Sequence, residues 1–129
     1  VLGTPSASRS IDSRIRKVLQ WLDECEERGR WADVDLDQAT GHAQLSSSRF
    51  LHLFSEQVGS PWRTYLVWRR AVVALSLAAN GYSVTEAAYQ AGYSDPSHMS
   101  RQSVQLFGLS PRALVDRSQF VQVLENDGA

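Results

Sequence analysis

Residues 83–111 read SVTEAAYQAGYSDPSHMSRQSVQLFGLSP, and each boundary in this stretch carries a residue suited to mark it. Ser83 is suited to accept the unpaired amides at the start of a helix, and Glu86, three residues on, completes a capping box. The spacing predicts a short helix through Ala91, stopped at Gly92. Asp95 then caps a second helix with Pro96 at its first position, where the missing N–H costs nothing. That helix runs to Phe107, and Gly108-Leu109-Ser110-Pro111 closes it and opens another. A short helix, a tight turn containing Gly and a second helix with a polar face make the helix-turn-helix plan, in which the second helix enters the DNA major groove.

The same plan occurs about 48 to 50 residues earlier. Asp35 caps a brief helix from Leu36 to Ala43; after a break near Gln44 to Ser46 a second helix runs to Val58, with Phe50, Leu53 and Phe54 inward. Gly59-Ser60-Pro61 then matches Gly108 and Ser110-Pro111 as a stop and start signal, and Leu45-Ser46 matches Tyr93-Ser94. Any helical bundle uses Gly and Ser-Pro as punctuation, but cap residues alone do not impose the same element order and lengths twice. Between the copies, Pro61 to Ala79 forms nineteen residues without a breaker, about 28 Å of helix. Successive major-groove faces lie about 34 Å apart, so a rod of this order suits two readers on one side of a duplex. Trp62, Tyr65 and Trp68 on this helix are expected in the core, and Arg69 and Arg70 are expected to tie it to its neighbours.

Upstream, Ile11, Ile15, Val18, Leu22 and Cys25 form the stripe of an amphipathic helix, capped by Ser10 and ended by Gly29, with Asp23, Glu24, Glu26 and Glu27 on its outer face. Sustained period-2 alternation is absent throughout. The expected fold is therefore all-α, with about seven helices and two helix-turn-helix units joined by a long linker helix. The domain is expected over residues 10–117, with 1–9 as a linker remnant and 118–129 as a C-terminal tail.

The 129 residues make about one domain. An apolar fraction of 43% with 21% charged residues is that of a globular chain rather than a disordered one. The longest apolar stretch, 71–85, is broken by Ser76, Asn80 and Gly81 and falls short of the ~20 residues that span a bilayer, so no membrane partner is expected. Cys25 is the only cysteine, which favours a reducing compartment, and the cytoplasm is the expected location. The start lacks signal-peptide character and the only methionine is Met99, so the chain reads as a fragment or a processed form. Net charge is -1, but residues 11–40 carry five cations and eight anions, whereas 41–120 carry seven cations and four anions. The second set is mildly basic.

The stretch from Ala87 through Arg101, followed by Phe107-Gly108-Leu109-Ser110-Pro111, resembles the signature of AraC/XylS-type transcription regulators. The resemblance extends more loosely over residues 11–117 through Phe50, Phe54, Gly59, Pro61, Tyr65-Leu66 and Arg69. It implies a seven-helix domain with two helix-turn-helix units, acting as a sequence-specific DNA-binding regulator. Carried over by position, the first reader presents Ser47, Ser48, Leu51 and His52, and the second Ser97, His98, Ser100 and Arg101. Arg101 suits the O6 and N7 atoms of guanine, Ser suits bases or phosphates, and Leu51 suits a thymine methyl. Arg49, Arg63 and Arg112, at or near helix starts, suit phosphates. The expected partner is double-stranded DNA, with RNA polymerase a candidate in an activator role. A sensor or dimerisation domain is expected N-terminal to Val1.

The sequence also departs from that pattern. Gln44 stands where the first turn usually has Gly, and Gly41 lies inside the preceding helix. Ser103 stands where a Phe is normally buried, Val104 replaces a usual cation, and His52 and Ser55 occupy positions that are often Arg and Lys. Thin cationic contact leaves open a second reading, a degenerate helix-turn-helix domain that serves as a protein-interaction module. An enzyme reading would rest on Cys25, His42, His52 and His98, but no pair has metal-ligand spacing and there is no phosphate loop or nucleophile elbow. No catalytic residue, metal or cofactor is expected.

Overall fold

Helix α1 (Ser13–Glu27) buries Ile15, Val18, Leu22 and Cys25, the expected stripe. Full burial of each aliphatic side chain contributes roughly 1.5–3 kcal/mol. The cap is Asp12 rather than Ser10, so the helix opens later and Ile11, half-buried, precedes it. The reason is that Asp12 satisfies more groups. Its Oδ1 accepts the Arg14 backbone N–H at 2.9 Å, its carboxylate grips the Arg14 guanidinium, and its own N–H donates to Gln57 Oε1 at 2.8 Å.

This computed structural model describes residues 10–117; the expected linker remnant (1–9) and tail (118–129) lie outside the described residues. The chain divides into two compact units, one through Val67 and one from Trp68.

In the first unit α1 packs on α2 (Leu36–Ala43) and α3 (Ser47–Val58), with a 3-10 turn at Trp31–Asp33 that buries Trp31. Asp35 caps α2 by accepting the Gln38 N–H at 2.8 Å, and Ser46 caps α3 by accepting the Arg49 N–H at 3.3 Å. Between them Gln44 adopts φ 57 and ψ 43, the one left-handed non-glycine residue among those described. That conformation costs an L-residue about 1–2 kcal/mol, whereas the matching turn of the second unit has Gly92 at φ 90. Phe50 and Phe54 are fully buried, and the Trp62 ring meets both edge-on at centroid distances of 5.2 and 5.1 Å.

Helix α4 (Trp62–Ala79) has 18 residues and begins one residue later than expected, with Tyr65 N–H bonded to the Pro61 carbonyl. In the second unit α4 buries Ala71, Val73 and Ala74. Trp68 departs from its expected core position and is 45% exposed. An i, i+3, i+6 series drifts around a helix of 3.6 residues per turn, so the inward face that holds Trp62 no longer includes Trp68.

Helix α5 (Val84–Gln90) starts with the expected capping box: Glu86 N–H to Ser83 Oγ and Ser83 N–H to Glu86 Oε1, both 3.0 Å. It packs on α6 (Pro96–Phe107) through an inner face of Ala87, Ala88 and Ala91. Asp95 caps α6 by accepting the His98 N–H at 2.8 Å, and Gly108 closes it at φ 77. Ser110 then accepts the Ala113 N–H at 3.2 Å and opens α7, residues 111–117. The described residues thus contain seven α-helices and no strand.

Two consequences for stability follow from α2 and α1. A Cβ built on Gly41 meets no atom within 4 Å, so Gly41→Ala is expected to stabilise the chain by about 1 kcal/mol, read as a higher urea midpoint. The Arg14 hydrogen bonds hold the Asp12 carboxyl down to about 2 from 3.8. A depressed carboxylate contributes stability that is complete above its unfolded value and is lost as pH falls through its folded value. The unfolding midpoint of the native chain should therefore fall more steeply between pH 4 and pH 2 than that of Asp12→Asn.

Candidate nucleic-acid interface

The geometry of the first candidate reader follows from its buried pair. Phe50 and Phe54 lie four residues apart on one face of α3. Their burial turns Ser47, Ser48, Arg49, Leu51, His52 and Glu56 outward, and all six are exposed. Leu51 is an apolar side chain left in solvent. His52 Nε2 lies 3.6 Å from Glu56 Oε2, one turn along.

The second reader repeats the device with different chemistry. Met99 and Ser103 are the buried pair of α6, and Ser97, Arg101 and Val104 face solvent. His98 and Ser100, expected on the exposed set, are only half-exposed. The His98 ring stands edge-on to Tyr93, 5.2 Å between centroids, which draws it toward the core. Tyr93 is buried at the turn before α6; its hydroxyl bonds Gln102 Oε1 at 2.9 Å, and the Arg70 guanidinium sits 5.6 Å from its ring centroid. Burial pushes the phenol up to about 12, so the hydroxyl keeps its proton and remains a donor to Gln102. Arg70 thus has the structural role expected of it. The importance of Tyr93 was missed in the sequence, where its only signal is an aromatic residue directly after the turn glycine.

Ser103, placed where the resemblance leads one to expect a buried Phe, is 2% exposed, and its hydroxyl donates to the Leu109 carbonyl at 2.7 Å. A hydrogen bond to the turn after α6 takes the place of ring packing.

The four arginines expected to meet DNA share one electrostatic property. Arg49, Arg63, Arg101 and Arg112 are exposed and make no ion pair among the described residues. Arg14 and Arg30, by contrast, pair with Asp12 and Asp33. Exposed, uncommitted guanidinium groups can form bidentate bonds to phosphate or guanine without first breaking an internal pair. Arg63 lies on the first turn of α4 and Arg112 on the first turn of α7.

The residues that suggested catalysis have other surroundings. His42 stacks on Trp21 at 4.7 Å between centroids, and Cys25 is buried, with its thiol pushed up by desolvation. A thiol held protonated is a poor nucleophile. Among the described residues no helix is long and apolar enough to cross a membrane.

Removing the Ser103 hydroxyl leaves the Leu109 carbonyl without this partner, and Ser103→Ala is expected to cost about 1–3 kcal/mol, read as a lower urea midpoint.

Comparison with known proteins points to one kind of domain. The family model described as "Helix-turn-helix domain" matches residues 40–117. Among solved structures, the fold is similar to the DNA-binding domain of AdpA, the global transcriptional factor, in complex with a target DNA. The TM-score is 0.67 at 22% identity, over 78% of this chain and 91% of that one. No curated protein matches the sequence.

Proposed function

The chain belongs to the AraC-type helix-turn-helix family, and from that premise we propose that it is a sequence-specific DNA-binding transcription regulator whose helices α3 and α6 read neighbouring major-groove segments. The observation that carries this reading is the repetition: the same element order yields, twice, an exposed polar helix face with an uncommitted arginine, Arg49 on α3 and Arg101 on α6. The DNA-bound state of the similar AdpA domain supports it. Arg101 reads guanine; Ser47, Ser48, His52, Ser97, His98 and Ser100 bond bases or phosphates; Leu51 meets a thymine methyl; Arg49, Arg63 and Arg112 hold phosphates.

The domain carrying this activity is residues 10–117. The same reading includes a cytoplasmic location, no catalysis, an activator role with RNA polymerase as partner, and a sensor or dimerisation domain ahead of Val1. A second reading, the protein-interaction module, is favoured by Glu56 and Val104, which put an anion and an apolar side chain on the two reading faces.

Fluorescence anisotropy with random duplex DNA at several salt concentrations separates the two. Each phosphate neutralised adds about 0.9 to the slope of log affinity against log salt, so few cations give a shallow but definite slope. Affinity undetectable at low salt would select the interaction module. Arg101→Ala is expected to reduce discrimination between sites by about 1–3 kcal/mol; an equal loss on every sequence would make Arg101 a phosphate contact instead.

A further inference from the structure

Helix α1 lies outside both helix-turn-helix units and outside the residues matched by the family model, yet it places one cation against the first reader. A cleft of about 480 Å³ is lined by Arg14 of α1 and by Ser48, Arg49, His52 and Glu56 of α3. We infer that Arg14 is a further DNA-contact residue, holding a backbone phosphate beside the segment read by α3. The inference rests on the DNA-binding reading proposed above.

Three features of the cleft support it. First, Arg14 is already oriented: Nε donates to Asp12 Oδ1 at 3.0 Å and Nη2 to Asp12 Oδ2 at 2.9 Å. This fork occupies one edge of the guanidinium, which has five N–H donors in all, and leaves Nη1 for an anion. The side chain as a whole is 42% exposed. Second, Arg14 is tied to the reader. Asp12 N–H donates to Gln57 Oε1 at 2.8 Å, which couples the start of α1 to α3. Third, Glu56, the one carboxylate that lines the cleft, pairs with neither Arg14 nor Arg49 among the described residues. Asp12 is committed to Arg14, and Glu56 lies 3.6 Å from His52. Arg14, Arg49 and Ser48 border one cleft, and guanidinium and hydroxyl donors suit phosphate oxygens without base preference.

The test is a salt titration of duplex binding, on several sequences, for the native chain, Arg14→Gln, Arg14→Lys and Asp12→Asn, with thermal unfolding of each. The expected result for Arg14→Gln is a salt slope smaller by about 0.9 and an equal proportional loss on every sequence. Arg14→Lys should restore the slope, and Asp12→Asn, which keeps the cation, should retain it. An unchanged slope in Arg14→Gln overturns the inference, as does a loss confined to particular sequences. Equal weakening by Arg14→Gln and Asp12→Asn in step with their unfolding temperatures also overturns it, since the pair would then act only on stability. If the native chain itself shows no salt-dependent binding, the DNA-binding reading fails first, which is distinct from native binding that is indifferent to Arg14.

Discussion

The two candidate reading helices depend on one constraint, a pair of inward side chains four residues apart. In α3 the pair is Phe50 and Phe54; in α6 it is Met99 and Ser103. Because an α-helix brings i and i+4 onto one face, burying the pair fixes the rotation of the whole helix about its axis. Ser47, Ser48 and Arg49 of α3 and Ser97 and Arg101 of α6 then face solvent as a consequence of packing. The caps fix the axial start: Ser46 and Asp95 each accept an amide of the first turn, so the exposed face begins at Ser47 in one unit and Pro96 in the other.

The two units meet this constraint by different means. The first uses aromatic bulk, with Trp62 closing against both phenylalanines. The second uses small residues and polar ties: the alanine face of α5, the Ser103 bond to Leu109 and the Tyr93 bond to Gln102. A core tied by hydrogen bonds is more exacting, because each buried polar group must keep its partner. The first unit has its own cost at Gln44, whose left-handed backbone is taken by glycine in the second.

Electrostatics give these faces a character that net charge conceals. The chain carries -1 overall, yet the anions of α1 lie on its own outer face, while Arg49 and Arg101 of the reading helices make no ion pair among the described residues. Local sign and availability matter more at contact distance than the total, because exposed charges separated by more than a Debye length, about 8–10 Å, are largely screened.

Most of the fold was legible in the linear chain, because helix boundaries are set by residues acting within four positions of themselves. Asp35, Ser83 and Asp95 announce their helices, and the repeat from Leu36 to Pro61 and Val84 to Pro111 declares the architecture. Four things required the third dimension. Asp12 displaced Ser10 as the cap because its partners include Gln57, forty-five positions away. Trp68 is 45% exposed rather than in the core, because spacing along a helix does not say how much of a side chain its surroundings cover. Ser103 found a carbonyl where a ring was expected, and Arg14 came to border the cleft of α3. Each of these depends on what lies opposite a side chain, and that is settled by packing between distant segments rather than by local pattern.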